Sequence, residues 1–267
     1  MTPHAQAPRE REATLIIWSQ DPQAVARQIA GLTSIANFRL LPHGSIAIHD
    51  IYFDTLDHAL QAQKLALRVR EVGAAHWTTL KGQSQPDDWG GVSRLEIEVP
   101  WSQNALARVV KELVRRKVKI MQPRQDFDRA QPLQVMTSLG LEVIQDRETH
   151  RQIRNIVRAG EGNSPALAEL AIDSVVYHFG DQQVYHHEVE IEAKAENVST
   201  VLGAVIETLL TMYKPALRRW DHAKLTTGKA IDKMLREGSL QGLLDTSNNI
   251  KPAAYDRIDD YLKHSGI

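Results

Sequence analysis

Charged residues recur at every second position in six segments of this chain, with aliphatic residues between them. The segments are Glu10-Arg11-Glu12, Leu67-Arg68-Val69-Arg70, Thr79-Leu80-Lys81, Arg94-Leu95-Glu96-Ile97-Glu98, Glu169-Leu170-Ala171-Ile172-Asp173 and Glu188-Val189-Glu190-Ile191-Glu192. Alternate residues of a β-strand share a face, so each segment sets cations or carboxylates on one side and aliphatic residues on the other. A half-buried antiparallel sheet with one solvated face produces the same pattern in any single segment. Three carboxylates in a row, spaced by roughly 6 to 7 Å, repel one another unless a cation sits among them. Turned inward, segments of both signs would line a barrel with acids and bases, which suits a divalent metal ion and a polyanion.

In that order, the segments resemble the CYTH domain, also called the triphosphate tunnel metalloenzyme family. Two landmarks support the resemblance: Tyr52-Phe53-Asp54-Thr55 ahead of the arginine strand, and Ala223-Lys224-Leu225-Thr226-Thr227-Gly228, similar to a Ser-Lys-Tyr-x-x-Gly motif. It spans about residues 8 to 230 and implies an α+β fold, a closed eight-stranded antiparallel β-barrel with flanking helices. The tunnel of such a barrel holds a triphosphate and divalent metal ions. Arginine offers a planar fork to two phosphate oxygens and lysine a compact charge. Arg68, Arg70, Lys81, Arg94, Arg151 and Lys224 are the candidate substrate-binding residues. Arg147 shares the parity of Arg151 and Arg154 lies nearby, so the register around Arg151 stays open.

Carboxylates would hold metal ions that bridge phosphate oxygens and orient a water for in-line attack. The resemblance matches Glu10 and Glu12 to an amino-terminal acidic pair and Glu188, Glu190 and Glu192 to a late acidic strand. The candidate ligands are Glu10, Glu12, Glu96, Glu98, Asp173, Glu190 and Glu192. Glu96, Glu98 and Glu169 serve equally well as ion-pair partners of neighbouring arginines. The family's first strand reads Glu-x-Glu-x-Lys, whereas this chain has Thr14 at the lysine position. Threonine supplies neither a cation nor the proton-handling role proposed for that lysine with a tunnel tyrosine, for which Tyr52 is the catalytic candidate. Arg9 and Arg11 have the wrong parity to substitute.

The elements that would position these residues follow from periodicity and punctuation. A first strand runs from about Glu10 to Trp18, and Asp21-Pro22 caps a helix carrying Val25, Ile29 and Leu32. A second strand covers about Ile46 to Asp54, and Leu65–Val72 with His76–Gly82 forms a hairpin. Residues Gln83 to Gly91 read as a loop. Ser102 caps a helix with Leu106, Val109, Val110 and Leu113 on one face, and Arg115, Arg116 and Lys117 suit its negative end. Leu141–Val157 reads as one long strand or two short ones, and Gly160 to Pro165 as a turn. Gly180-Asp181 joins a hairpin of Ser174–Phe179 and Gln183–Lys194. Val198–Met212 is a helix with Asn197 or Ser199 as cap, and residues 229 to 267 form two or three short helices. The expected division is a tunnel domain over 8–230 and a short helical extension over 231–267.

Composition narrows the chemistry further. The 267 residues, 42% of them hydrophobic, can build a sizeable core, and the formal charge of −1 gives no basic field for general nucleic-acid binding. The chain has no cysteine, which leaves oxygen or histidine to hold any metal, and the carboxylates point to Mg²⁺ or Mn²⁺. His186 and His187 face opposite sides of a regular strand and cannot share one ion. No phosphate loop or Ser-His-Asp order is present. Residues 1 to 11 resemble neither a signal peptide nor an anchor, and no apolar run approaches membrane-spanning length, which points to the cytoplasm. The leading expectation is a metal-dependent triphosphatase acting on inorganic triphosphate or a small triphosphorylated compound, without nucleic-acid or membrane partners. The rivals are an adenylate cyclase of the class IV type and, because of Thr14, a noncatalytic triphosphate- or polyphosphate-binding module.

Overall fold

The computed structural model describes residues 9–87, 89–121, 131–160 and 165–265. The polar amino-terminal stretch up to residue 8 and the middle of the turn between Gly160 and Pro165 lie outside the described residues. The chain runs β1 (Arg9–Ile17), α1 (Pro22–Ala30), β2 (Ser34–Ile35), β3 (Phe38–Thr55), α2 (Ala59–Ala62), β4 (Ala66–Val72) and β5 (Ala75–Lys81). It continues through β6 (Gln85–Pro86), β7 (Val92–Pro100), α3 (Gln103–Arg115), α4 (Pro132–Ser138), β8 (Leu141–Arg158), β9 (Ala168–Phe179) and β10 (Gln182–Ala193). It closes with α5 (Ser199–Met212), β11 (Leu217–Arg219), α6 (Lys224–Arg236) and α7 (Pro252–Ser265). The fold is α+β, an antiparallel sheet with flanking helices. Strands neighbour one another in the order β11-β1-β10-β9-β8-β3-β4-β5-β7-β6, with β2 on β3 and β1 also paired with β7. No helix among the described residues is long and apolar enough to cross a membrane.

Local chemistry accounts for most of these boundaries. Asp21 accepts a hydrogen bond from the Ala24 amide at 2.9 Å and Pro22 opens α1, while Ser102 accepts from the Ala105 amide at 3.1 Å and opens α3. The cap expected for α5 is different: Val198 occupies it and makes no side-chain capping bond. Strand β3 begins at Phe38, well before the expected Ile46, and α6 begins at Lys224. The Leu141 segment is one strand of 18 residues. Within the loop before β7, Gln85–Pro86 forms a short strand.

Contacts divide the chain into two units. The first comprises residues 1–10, 48–85 and 94–147. Its core packs Ile51, Phe53, Leu67, Val69 and Leu80 of the sheet against Leu106, Val109 and Leu113 of α3 and Val135 and Met136 of α4. The second comprises residues 11–47, 86–93 and 148–267. One of its clusters joins Leu15, Ile17, Leu170, Ile172, Val189 and Ile191 to α1 and α5; the other joins Ile16, Val175, Tyr177 and Val184 to Ile231 and Met234 of α6 and Ile258 of α7. In the first unit and in the cluster with α1 and α5 the aliphatic parity of the strands enters the core, whereas Ile16, Val175, Tyr177 and Val184 share the parity of Glu12, Asp173 and Glu188, so the cluster with α6 and α7 lies on the charged face.

Candidate functional site

In the first unit, strand register gathers the charges. Tyr52, Arg68, Thr79 and Glu98 stand in one row across β3, β4, β5 and β7; Asp50 with Arg70, and Lys81 with Glu96, occupy the rows on either side. Asp50 is 1% exposed and receives three guanidinium groups. Arg70 forks onto it at 2.8 and 2.9 Å, Arg147 donates at 2.6 Å and Arg68 lies at 3.5 Å. Arg68 and Arg147 also donate to the Tyr52 hydroxyl at 3.2 and 3.1 Å, and the Arg147 guanidinium sits 5.1 Å from the centre of the tyrosine ring. Glu98 accepts from Arg68 at 3.1 Å and from Thr79 at 2.8 Å. Glu10 accepts from Lys81 at 2.7 Å and Arg94 at 2.9 Å, and Glu96 lies 3.0 Å from Lys81.

This crowding of cations shifts two acidities. Burial alone would raise the Tyr52 pKa, but Arg147 and Arg68 outweigh it and bring the phenol down to about 8. Burial opposes ionisation of Asp50 as well, and the arginines still hold its carboxyl well below the usual range. Glu96 moves the other way: burial lifts its pKa, and the nearby Glu10 adds to the rise against Lys81.

In the second unit, β1, β10 and β9 align Glu12 with Glu192 and Glu169, Thr14 with Glu190 and Ala171, and Ile16 with Glu188 and Asp173. Arg151 donates to both oxygens of Asp173 at 2.9 and 2.7 Å and also pairs with Glu190. The Lys224 ammonium sits among three carboxylates, 2.6 Å from Glu190, 3.0 Å from Asp173 and in contact with Glu188. Tyr177 anchors the start of α6 by donating to the Lys224 carbonyl at 2.8 Å. Burial would lower the Lys224 pKa, but Glu188, Glu190 and Asp173 raise it, so the ammonium stays charged. Asp173 is held low: burial opposes, and Arg151 with Lys224 prevails. Farther along, Lys194 lies 2.8 Å from Glu192 and 3.6 Å from Glu169.

Arg68, Arg70, Lys81, Arg94 and Tyr52 thus stand in one network with Glu10, Glu96 and Glu98, and Arg151 and Lys224 in another with Asp173 and Glu190. Of the register choices left open by sequence, Arg151 joins the acidic cluster while Arg147 binds Asp50 and Tyr52. Arg11 donates to Asp87 at 2.7 Å and Ser199 at 2.8 Å. Three contributors lay outside the expected set. Asp50 and Arg147 were absent from it, although Asp50 shares the parity of Tyr52. Glu188 was recognised in the acidic strand but not among the ligands.

Asp173, Glu188 and Glu190 each place a carboxylate oxygen within 4.8 Å of the others. Among the described residues they form the one such group, and Glu10, Glu12, Glu96, Glu98 and Glu192 lie outside it. An all-oxygen anionic donor set of this kind fits a hard divalent cation, which would compete with the Lys224 ammonium for the same oxygens.

A family model for the CYTH domain matches residues 23–223. The chain belongs to the CYTH domain family. No curated protein matches it. Solved structures similar to this CYTH chain include a proposed adenylyl cyclase from Hippeastrum with a dominant triphosphatase activity. That likeness has 16% identity and a TM-score of 0.49 and covers 86% of this chain and 96% of the other. A proposed adenylate cyclase of Bacillus halodurans shows 20% identity and a TM-score of 0.43, with 85% and 97% covered. The Mimivirus capping-enzyme triphosphatase shows 12% identity and a TM-score of 0.35, with 77% and 90% covered.

Proposed function

We propose that this CYTH protein is a metal-dependent triphosphatase acting on inorganic triphosphate or a small triphosphorylated compound. The observation that carries the reading is the group of Arg68, Arg70 and Lys81, brought by register onto adjacent rows of one charged face of the sheet, with Arg94 joined to Lys81 through Glu10. Each of these cations is already oriented by a carboxylate, so phosphate oxygens meet donors whose side-chain entropy is largely lost beforehand. The tunnel form of the proposal has eight strands, β1, β3, β4, β5, β7, β8, β9 and β10, closing into a barrel, and the pairing of β1 with β7 supports it. Residues 8–230 make up the tunnel domain in this reading, and 231–267 its extension.

Arg68, Arg70, Lys81 and Arg94 bind phosphate oxygens in the proposed reaction, and Arg151 and Lys224 contribute further cationic donors. Asp173, Glu188 and Glu190 would hold Mg²⁺ or Mn²⁺, which supplies neutralisation of phosphate charge when bound. Water oxygen bonds to the terminal phosphorus, the bond from that phosphorus to the bridging oxygen breaks, the diphosphate portion leaves with that oxygen and its electron pair, and the attacked phosphorus ends as orthophosphate. The phenolate of Tyr52, made accessible because the arginines bring the phenol to about 8, takes the proton released by the water and becomes the phenol.

The test is incubation of the purified protein with Mg²⁺ or Mn²⁺ and a panel of triphosphates. Orthophosphate release supports the triphosphatase, and cyclic AMP from ATP would replace it with a cyclase. A second reading, a noncatalytic binding module, is favoured by Thr14, which stands opposite Glu190 where the family pattern has a cation. Binding without turnover would establish it.

A further inference from the structure

We propose that the carboxy-terminal helix α7 orients the acidic cluster: Tyr255 fixes His186, and His186 fixes Glu188, so that one oxygen of Glu188 is held and the other is presented to the cluster. The proposal rests on the reading of Asp173, Glu188 and Glu190 as metal ligands. His186 and Glu188 lie within the family match, which ends at residue 223, and Tyr255 with the helix that carries it lies beyond it.

His186, Glu188 and Tyr255 are 0%, 0% and 2% exposed. The Nε2 of His186 lies 2.6 Å from Glu188 Oε2, and its Nδ1 lies 2.9 Å from the Tyr255 hydroxyl. The same hydroxyl accepts the His187 backbone N–H at 3.5 Å. Burial raises the Tyr255 pKa, which keeps its proton on the oxygen. A hydroxyl that accepts from one side is left to donate on the other, here to His186 Nδ1. His186 then carries its own proton on Nε2 and donates it to Glu188 Oε2. The second oxygen, Oε1, contacts Lys224.

The helix has little freedom to place Tyr255 elsewhere. Asn248 and Ile250 bond to the backbone of Tyr185 on β10 at 3.0 Å each, and Asn249 meets His187 Nε2 at 3.1 Å. Asp245 in turn binds the Asn249 amide at 2.9 Å. The Tyr255 ring packs edge-on against Trp220 and His186, with centroids 5.8 and 5.5 Å away. His186 and His187, adjacent in sequence, therefore serve separate partners. Hydrogen bonds to ligating carboxylates hold them in their binding orientation, and losing one such outer partner weakens metal affinity by roughly 10- to 100-fold.

Tyr255→Phe removes the hydroxyl and keeps the ring, while Leu262→Ala loosens the packing of the same helix without touching the chain of hydrogen bonds. Calorimetric titration of the full-length protein with Mn²⁺ alone should show binding weakened by roughly tenfold or more in Tyr255→Phe and unchanged in Leu262→Ala. Nitrogen NMR should find His186 protonated at Nε2 in the parent and a mixed tautomer in Tyr255→Phe. His186→Gln, which can keep a donor near Glu188, should bind Mn²⁺ more tightly than His186→Ala, and this pair decides the matter if Tyr255→Phe does not fold. Equal losses in Tyr255→Phe and Leu262→Ala would reduce the effect to helix packing and overturn the proposal. Unchanged Mn²⁺ affinity in Tyr255→Phe overturns the orienting role alone. A parent protein that binds no Mn²⁺ overturns the metal reading and the proposal with it.

Discussion

At the scale of single residues, Asp50 separates structural from functional charge. Three arginines converge on a carboxylate that is 1% exposed, so Asp50→Ala removes the buried counter-charge they share, although Arg68 keeps Glu98 at 3.1 Å. Denaturant unfolding should register a loss of about 3 to 5 kcal/mol. Arg70→Ala differs, because Arg68 and Arg147 still attend Asp50. Its expected effect is on triphosphate binding, where losing charge-assisted hydrogen bonds worth about 1.5 to 3 kcal/mol lowers affinity by roughly tenfold or more. Unchanged affinity in folded Arg70→Ala would remove that side chain from the site. The cations of this network were legible in sequence because Arg68, Arg70, Lys81 and Arg94 follow one order and parity. Asp50 was not, since its partner depends on how β3 registers against β4, and the connecting residues carry no signal that sets it. The same holds for Arg147 and Arg151: equal parity on one strand said nothing about which carboxylate each would meet.

At the scale of elements, period-two patterning and turn residues were enough for the hairpins β4–β5 and β9–β10. They failed where a strand is exposed and irregular. The first half of β3 carries Pro42 and Gly44 among mostly exposed residues, so no core-facing alternation marks it as strand. The loop before β7, which turn residues alone mark, packs specifically. Arg11 grips Asp87, Arg219 donates to the Gly90 carbonyl at 2.9 Å, and a Cβ on Gly91 would collide with the Trp89 ring and the Glu12 carbonyl. Gly91→Ala should therefore lose about 1 to 3 kcal/mol through overpacking, measured by urea unfolding. Gly180→Ala is the comparison, since its surroundings are open and only its φ of +62° is strained. That strain costs about 1 to 2 kcal/mol. If Gly91→Ala is as stable as the parent, the loop yields without cost and does not brace β1.

At the scale of the whole molecule, a net charge of −1 conceals two dense networks of opposed charges, and pH should expose them. Asp50 and Asp173 titrate below their ordinary range in the fold. Their contribution to stability is complete above the unfolded pKa of about 3.9 and is lost as pH falls through the folded values. Glu96, raised by burial, acts in the opposite sense, because the fold favours its protonated form. The alkaline side isolates one group. Tyr52 is at about 8 in the fold against an ordinary value of 10.0, so between these values the native chain has released a proton that the unfolded chain retains. Its contribution is present above the unfolded value and disappears as pH falls through about 8. Two pKa units correspond to about 2 to 3 kcal/mol. The stability of the parent relative to Tyr52→Phe should accordingly grow from pH 8 to 10, and tyrosinate absorbance with a midpoint near 8 should be missing from the variant. A constant difference across that window would show that Arg68 and Arg147 leave the phenol protonated. Tyr52 could not then accept the proton of an attacking water at neutral pH, and that role would pass to another group.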